Sequence, residues 1–170
     1  MLKRLSVLLI AGLAVVALAA TTITGAIGKG VAVNGDGHNA GFDFEVAKTV
    51  AGDGSVRYGG RFNFTTRVAP PNEPPAIIGV LIGLLRQFNK TGHAASFGGP
   101  GIISVQTATA LHRYEGTVAV VVNDRHDPEH NTGDPDQITV IFTPRTTGPS
   151  FRWSGLVRNG DLHVFERVVQ

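Results

Sequence analysis

The chain of 170 residues has no cysteine, a single tryptophan and two tyrosines. Without a thiol there is no disulfide framework, no thiolate nucleophile and no cysteine-ligated metal. Stability must then come from a packed core or a bound ion. So few tryptophans and tyrosines make a poor set of stacking platforms for sugars, with Tyr58 and Tyr114 the best exposed candidates. Net charge is also scarce: 15 Lys plus Arg stand against 13 Asp plus Glu, and two of the bases, Lys3 and Arg4, sit at the extreme N-terminus. No basic cluster follows them, which argues against nucleic acid as a partner. Also missing are a Gly-x-Ser-x-Gly elbow, a His-Glu-x-x-His helix and a phosphate-cradling glycine loop.

What the N-terminus does contain is a positive start, an apolar or small stretch over residues 5–18, and Ala17-Leu18-Ala19 as a cleavage site. That is the pattern of a secretory signal over residues 1–20. The rival, a retained membrane anchor, needs about 20 apolar residues, and this stretch is shorter. The chain is therefore expected to be secreted, with no membrane span after cleavage. The remainder, about 150 residues, is enough for one domain that buries ~68–70% of its unfolded surface.

Glycine is abundant, with 22 residues, which suits short strands and tight turns better than long helices. Residues 21–30 read as a small-residue leader, so a single domain is expected over 28–170, opening with a strand at Lys29-Gly30-Val31-Ala32-Val33. Phe42, Phe44 and Val46 alternate with polar neighbours, and Arg61-Phe62-Asn63-Phe64-Thr65 repeats the pattern; Gly52-Asp53-Gly54-Ser55 between them reads as a hairpin turn. The alternation places Arg61 beside Asp43 and Glu45. Residues 70–75 hold four prolines and predict a rigid connector. Residues 76–85 are almost continuously apolar; glycines and β-branched residues favour a strand, while Leu84-Leu85-Arg86-Gln87-Phe88 favours a helical turn. Ser96-Phe97-Gly98-Gly99-Pro100-Gly101 reads as a corner, residues 102–111 as a strand and residues 113–116 as a turn.

The chain is organised around residues 116–143. Val118, Val120 and Val122 recur at period two, as do Ile138, Val140 and Phe142, and a loop without large hydrophobes separates them. Asn159-Gly160 then marks a closing hairpin that pairs Val157 with Leu162 and Gly155 with Val164, and lays Trp153 over Gly155. Together these elements predict an all-β, single-domain antiparallel β-sandwich or barrel of about eight or nine strands.

Ala95-Ser96-Phe97-Gly98-Gly99-Pro100-Gly101, then Gly116-Thr117-Val118-Ala119-Val120-Val121-Val122-Asn123-Asp124, Asp136-Gln137-Ile138-Thr139-Val140 and Trp153-Ser154-Gly155-Leu156-Val157-Arg158-Asn159-Gly160-Asp161-Leu162-His163-Val164 follow in an order that resembles the post-COAP module of secreted actinobacterial proteins. The early strands around Phe42 and Phe62 fit the same scheme. The resemblance implies an extracellular β domain and no established reaction, with no functional residues to carry over. The acidic loop here is longer than that pattern.

Five carboxylates, Asp124, Asp127, Glu129, Asp134 and Asp136, crowd that loop. Ca²⁺ takes six to eight oxygen ligands, and extracellular Ca²⁺ would fill even a weak site. EF-hand spacing is absent, and a solvated turn that guards a sheet edge is the competing explanation. His126 and His130 lie four apart, the spacing of a Zn²⁺ pair on a helix, but Pro128 argues against a helix here. Two pairs suit a small secreted hydrolase: the carboxylates Asp43 and Glu45, about 7 Å apart along a strand, and His112 with Glu115 as acid and base. A lipocalin-like barrel with an apolar ligand against residues 77–85 is a third possibility. The reading favoured is a non-enzymatic module with no catalytic residues, binding an unknown extracellular ligand or protein.

Overall fold

The computed structural model describes residues 20–69, 75–126 and 133–170. Among the described residues nine antiparallel strands follow one another: β1 (Thr21–Asn34), β2 (Asn39–Val50), β3 (Val56–Val68), β4 (Ala76–Ile82), β5 (Gln87–Thr91), β6 (Ala94–Gln106), β7 (Leu111–Asn123), β8 (Gln137–Pro144) and β9 (Phe151–Val169). Their order is β4-β3-β2-β1-β9-β8-β7-β6-β5, and β4 also pairs with β6. That last pairing decides between the two architectures the sequence left open. Eight strands close into a barrel, and β5 lies outside the ring, paired with β6 alone.

The organising pair of strands lies side by side, with Val118 opposite Phe142, Val120 opposite Val140 and Val122 opposite Ile138. All six side chains are buried, because a two-residue period puts them on the same face. β2 and β3 likewise send Phe42, Phe44, Phe62 and Phe64 inward. Phe44 touches the rings of Phe42, Phe62 and Phe97, with centroids 6.1, 6.1 and 5.4 Å away. Trp153 meets Phe64 edge-on at 5.1 Å. One continuous cluster of aromatic and aliphatic side chains fills the interior.

β1 corrects the sequence reading. Residues 21–27, expected to be a leader, are paired with β2 on one edge and β9 on the other. Two β1 positions are glycine because rings from its neighbours occupy the side-chain space. A Cβ at Gly28 would lie 2.7 Å from the Phe44 ring, and one at Gly25 would lie 2.5 Å from Phe165.

Three other expected turns are also strand. Residues 96–101 lie inside β6, where Gly98, Gly99 and Gly101 let the backbones of β7, the 83–86 turn and β4 approach more closely than a side chain permits. Pro100 has no N–H to offer, and its carbonyl accepts from Gly83 and Leu84 where β4 leaves the ladder. Residues 113–116 fall within β7, and the actual turn is at Thr107, whose N–H donates to the Ala110 carbonyl at 2.9 Å. Asn159-Gly160 makes no hairpin. β9 runs through it, with Leu162 opposite Gly28, Val164 opposite Ala26 and a register shift opposite Val31 and Ala32. Gly160, at φ +101°, absorbs the irregularity. Trp153 does lie over Gly155, whose Cβ position its ring occupies.

Residues 77–88 contribute strand, not helix. The expected hairpin turn at Gly52-Asp53-Gly54-Ser55 lies within a five-residue β2–β3 loop, with Val50 opposite Val56. Of the proline-rich connector, residues 70–74 lie outside the described residues.

Candidate functional site

β8 stops pairing with β9 at Gln137 opposite Leu156, yet β9 continues for another turnless stretch along β1. Among the described residues, its second edge therefore lacks a strand neighbour from Val157 onward, where Asp136 lies beside it. Two aspartates fasten the loop there. The Asp136 carbonyl accepts the Val157 N–H at 2.8 Å. Its side chain, only 2% exposed, folds back so that one carboxylate oxygen accepts the N–H groups of Arg125 and His126 at 2.8 and 2.9 Å. Such a carboxylate does for a loop what an N-cap does for a helix: it satisfies backbone donors that no ladder reaches.

Asp124 acts at longer range. Its own N–H donates to the His93 carbonyl at 2.9 Å, extending the β6–β7 ladder by one step. Its Oδ2 accepts the Val164 N–H of β9 at 2.9 Å. The same oxygen lies 3.2 Å from His163 Nδ1, with the aspartate side chain 10% exposed and the histidine 62%. Asp124 thus bridges two strands whose residues are 40 apart in sequence.

Beside these anchors, an open groove of about 340 Å³ is lined by His126, Pro135, Asp136, Val157, Arg158 and Gly160. Asp134 is exposed. Asp127, Glu129 and His130 lie outside the described residues. Among the described residues no group of three or more His, Asp and Glu side chains gathers around a common point. Asp124 and Asp136 are spent on the backbone N–H groups of Val164, Arg125 and His126.

The two hydrolase pairs lie on different strands. Asp43 and Glu45 sit on the outer face of β2; Arg61 lies opposite Glu45 and reaches Asp43 at 3.5 Å, so the predicted cross-strand neighbourhood is present as an exposed ion pair. His112 and Glu115, three apart on one strand, point to opposite faces. His112 stacks on Tyr114 at 6.4 Å and Glu115 faces Arg145 at 4.0 Å. Tyr114 packs against Gly148, while Tyr58 remains exposed. Ile77 and Leu81, expected to line a ligand cavity, face solvent on the outside of the barrel.

Comparison with protein-family models, with curated proteins and with solved structures finds no match to this chain.

Sequence reasoning missed two features. The bridge between Asp124 and β9 leaves no local signal, because its two ends meet only once the barrel closes. The other is the first half of β3, where residues 56–61 are all exposed.

Proposed function

We propose that the chain is an exported, non-enzymatic β-barrel module of the kind its motifs resemble, a post-COAP-like domain that binds an extracellular ligand or protein or serves as a structural unit. One observation carries this: side chains from all eight ring strands fill the interior, while Asp43 and Glu45 flank Arg61 on the outer surface and His112 and Glu115 point to opposite faces of β7. A hydrolase needs its acid and base converging on one bound substrate, and an exposed carboxylate already engaged by Arg61 offers no such convergence. A lipocalin-like function needs an empty apolar interior, and here phenylalanine rings occupy it. The signal-like N-terminus supports export.

The test has three arms. Purified protein given glycoside, ester and peptide substrates is expected to show no turnover; turnover that Asp43→Asn or Glu45→Gln removes would overturn the non-enzymatic assignment. Expressed in a secreting host, the chain is expected in the medium with a mass that places its N-terminus near Ala20. The melting temperature is expected to be the same in millimolar Ca²⁺ and in chelator, since Asp124 and Asp136 hold backbone groups instead. A rise abolished by Asp124→Ala would make the loop a Ca²⁺ site.

A further inference from the structure

β3 changes neighbours half-way along its length. From Phe62 onward it lies between β2 and β4, but Val56, Arg57, Tyr58, Gly59, Gly60 and Arg61 pair with β2 alone. The wall opens because β4 ends at Ile82 and the chain then follows β6: the N–H groups of Gly83 and Leu84 donate to Pro100, not to β3. All six residues are exposed on both faces of the sheet. Among the described residues no strand pairs with their outer edge. A bare edge presents N–H and C=O groups at strand spacing, a ready template for one more strand.

We propose that this edge receives an extended, acidic peptide segment of a partner protein as an added strand. The side chains choose the occupant. β3 carries three arginines and no acid. On the outer face of the free half the sequence runs Arg57, Gly59, Arg61; on the inner face it runs Val56, Tyr58, Gly60, with Val56 46% and Tyr58 38% exposed. Arg61 is shared with Asp43 at 3.5 Å, and Arg57 adds a small attraction to the Ser55 hydrogen bonds that hold the Asp53 carboxyl below the usual range. Each guanidinium has five donors in a planar fork, so both keep donors for an incoming carboxylate.

A strand with carboxylates four residues apart on one face meets both arginines. The residue between them sits over Gly59, beside an open groove of about 320 Å³ formed by Glu45, Ala47, Gly60 and Arg61. Its opposite face needs apolar side chains for Val56 and Tyr58. A second copy of this chain, paired antiparallel about Gly59, would set Arg57 against Arg61, and like charges directly opposite destabilise a strand pair.

This proposal rests on the module being a binding domain, yet the two fail separately, since turnover assays test one and edge protection tests the other. The probe is the acetylated, amidated peptide Glu-Val-Thr-Val-Glu-Val, with a Lys-for-Glu counterpart, added to isotope-labelled protein. The expected result is that saturating acidic peptide slows amide exchange about tenfold or more at alternate positions of residues 56–61. Arg57→Glu, at an exposed position, is expected to weaken binding about tenfold while the melting temperature holds. Unchanged exchange at millimolar peptide would overturn the proposal, as would equal binding of the lysine peptide. So would a peptide-free dimer, seen by sedimentation, whose formation already protects these amides.

Discussion

Phe44→Ala probes the filled interior most severely. The Phe44 side chain is 1% exposed, three other phenylalanine rings surround it, and its ring lies over Gly28 of β1. Truncating a buried phenylalanine costs about 3–5 kcal/mol, the transfer of the ring plus the cavity left behind. Each lost ring–ring contact adds about 0.5–1.5 kcal/mol beyond area burial, which places this site toward the top of that range. Against a total stability of about 5–15 kcal/mol, much of the fold's margin would go. For a chain of this size the melting temperature should fall by about 6–20 °C, at 2–4 °C per kcal/mol. Urea unfolding followed by fluorescence measures it, since Trp153 is the sole tryptophan and is buried beside Phe64. The variant should also bind benzene saturably in its new cavity, while the parent protein does not. A loss below about 1 kcal/mol, which is the scale of an ordinary surface change, would refute the claim of a tightly packed barrel.

Asp136→Ala removes the acceptor for two backbone donors, each charge-assisted bond contributing about 1.5–3 kcal/mol before water replaces it. A net loss of about 2–4 kcal/mol is expected, with faster amide exchange at Arg125 and His126, both read by NMR. Gly160→Ala places a side chain against the Lys29 carbonyl at a positive φ. Urea unfolding should show a loss of about 2–4 kcal/mol from backbone strain and clash together. Asp53 accepts the Ser55 N–H at 2.9 Å, which lowers its pKa. A depressed folded pKa contributes stability above the unfolded value of about 3.9 and loses it as pH falls through the folded value. The Asp53 carboxyl should therefore titrate below its unfolded value by carbon NMR, and Asp53→Ser should destabilise less at acid pH than at neutral pH.

Much of the ladder was legible in the sequence because its signal is positive: Val118, Val120 and Val122 against Ile138, Val140 and Phe142 announce themselves by what they bury. β1 did not, because its identity lies in what it leaves out. Gly25 and Gly28 are small where Phe165 and Phe44 need room, and that complementarity spans strands. The same holds at Gly98, Gly99 and Gly101, where glycine permits close strand approach within β6 rather than ending a strand. Asn159-Gly160 has the chemistry of a hairpin, but β1 extends past it and offers a continuous partner, so tertiary pairing wins over turn preference. At the candidate site, Asp124 was singled out for its charge among neighbours. Its role as a bridge to Val164 became visible only with β9 beside it.

Closure of the sheet on itself is what fills the interior and frees the first half of β3. In the closed barrel Val80 lies opposite Ile103, and Ile78 opposite Val105, across the β4–β6 seam. A proton–proton Overhauser spectrum should show backbone cross-strand contacts for both pairs. Their absence, with the amides on that edge of β6 exchanging freely, would mean an open sheet and would contradict the filled barrel.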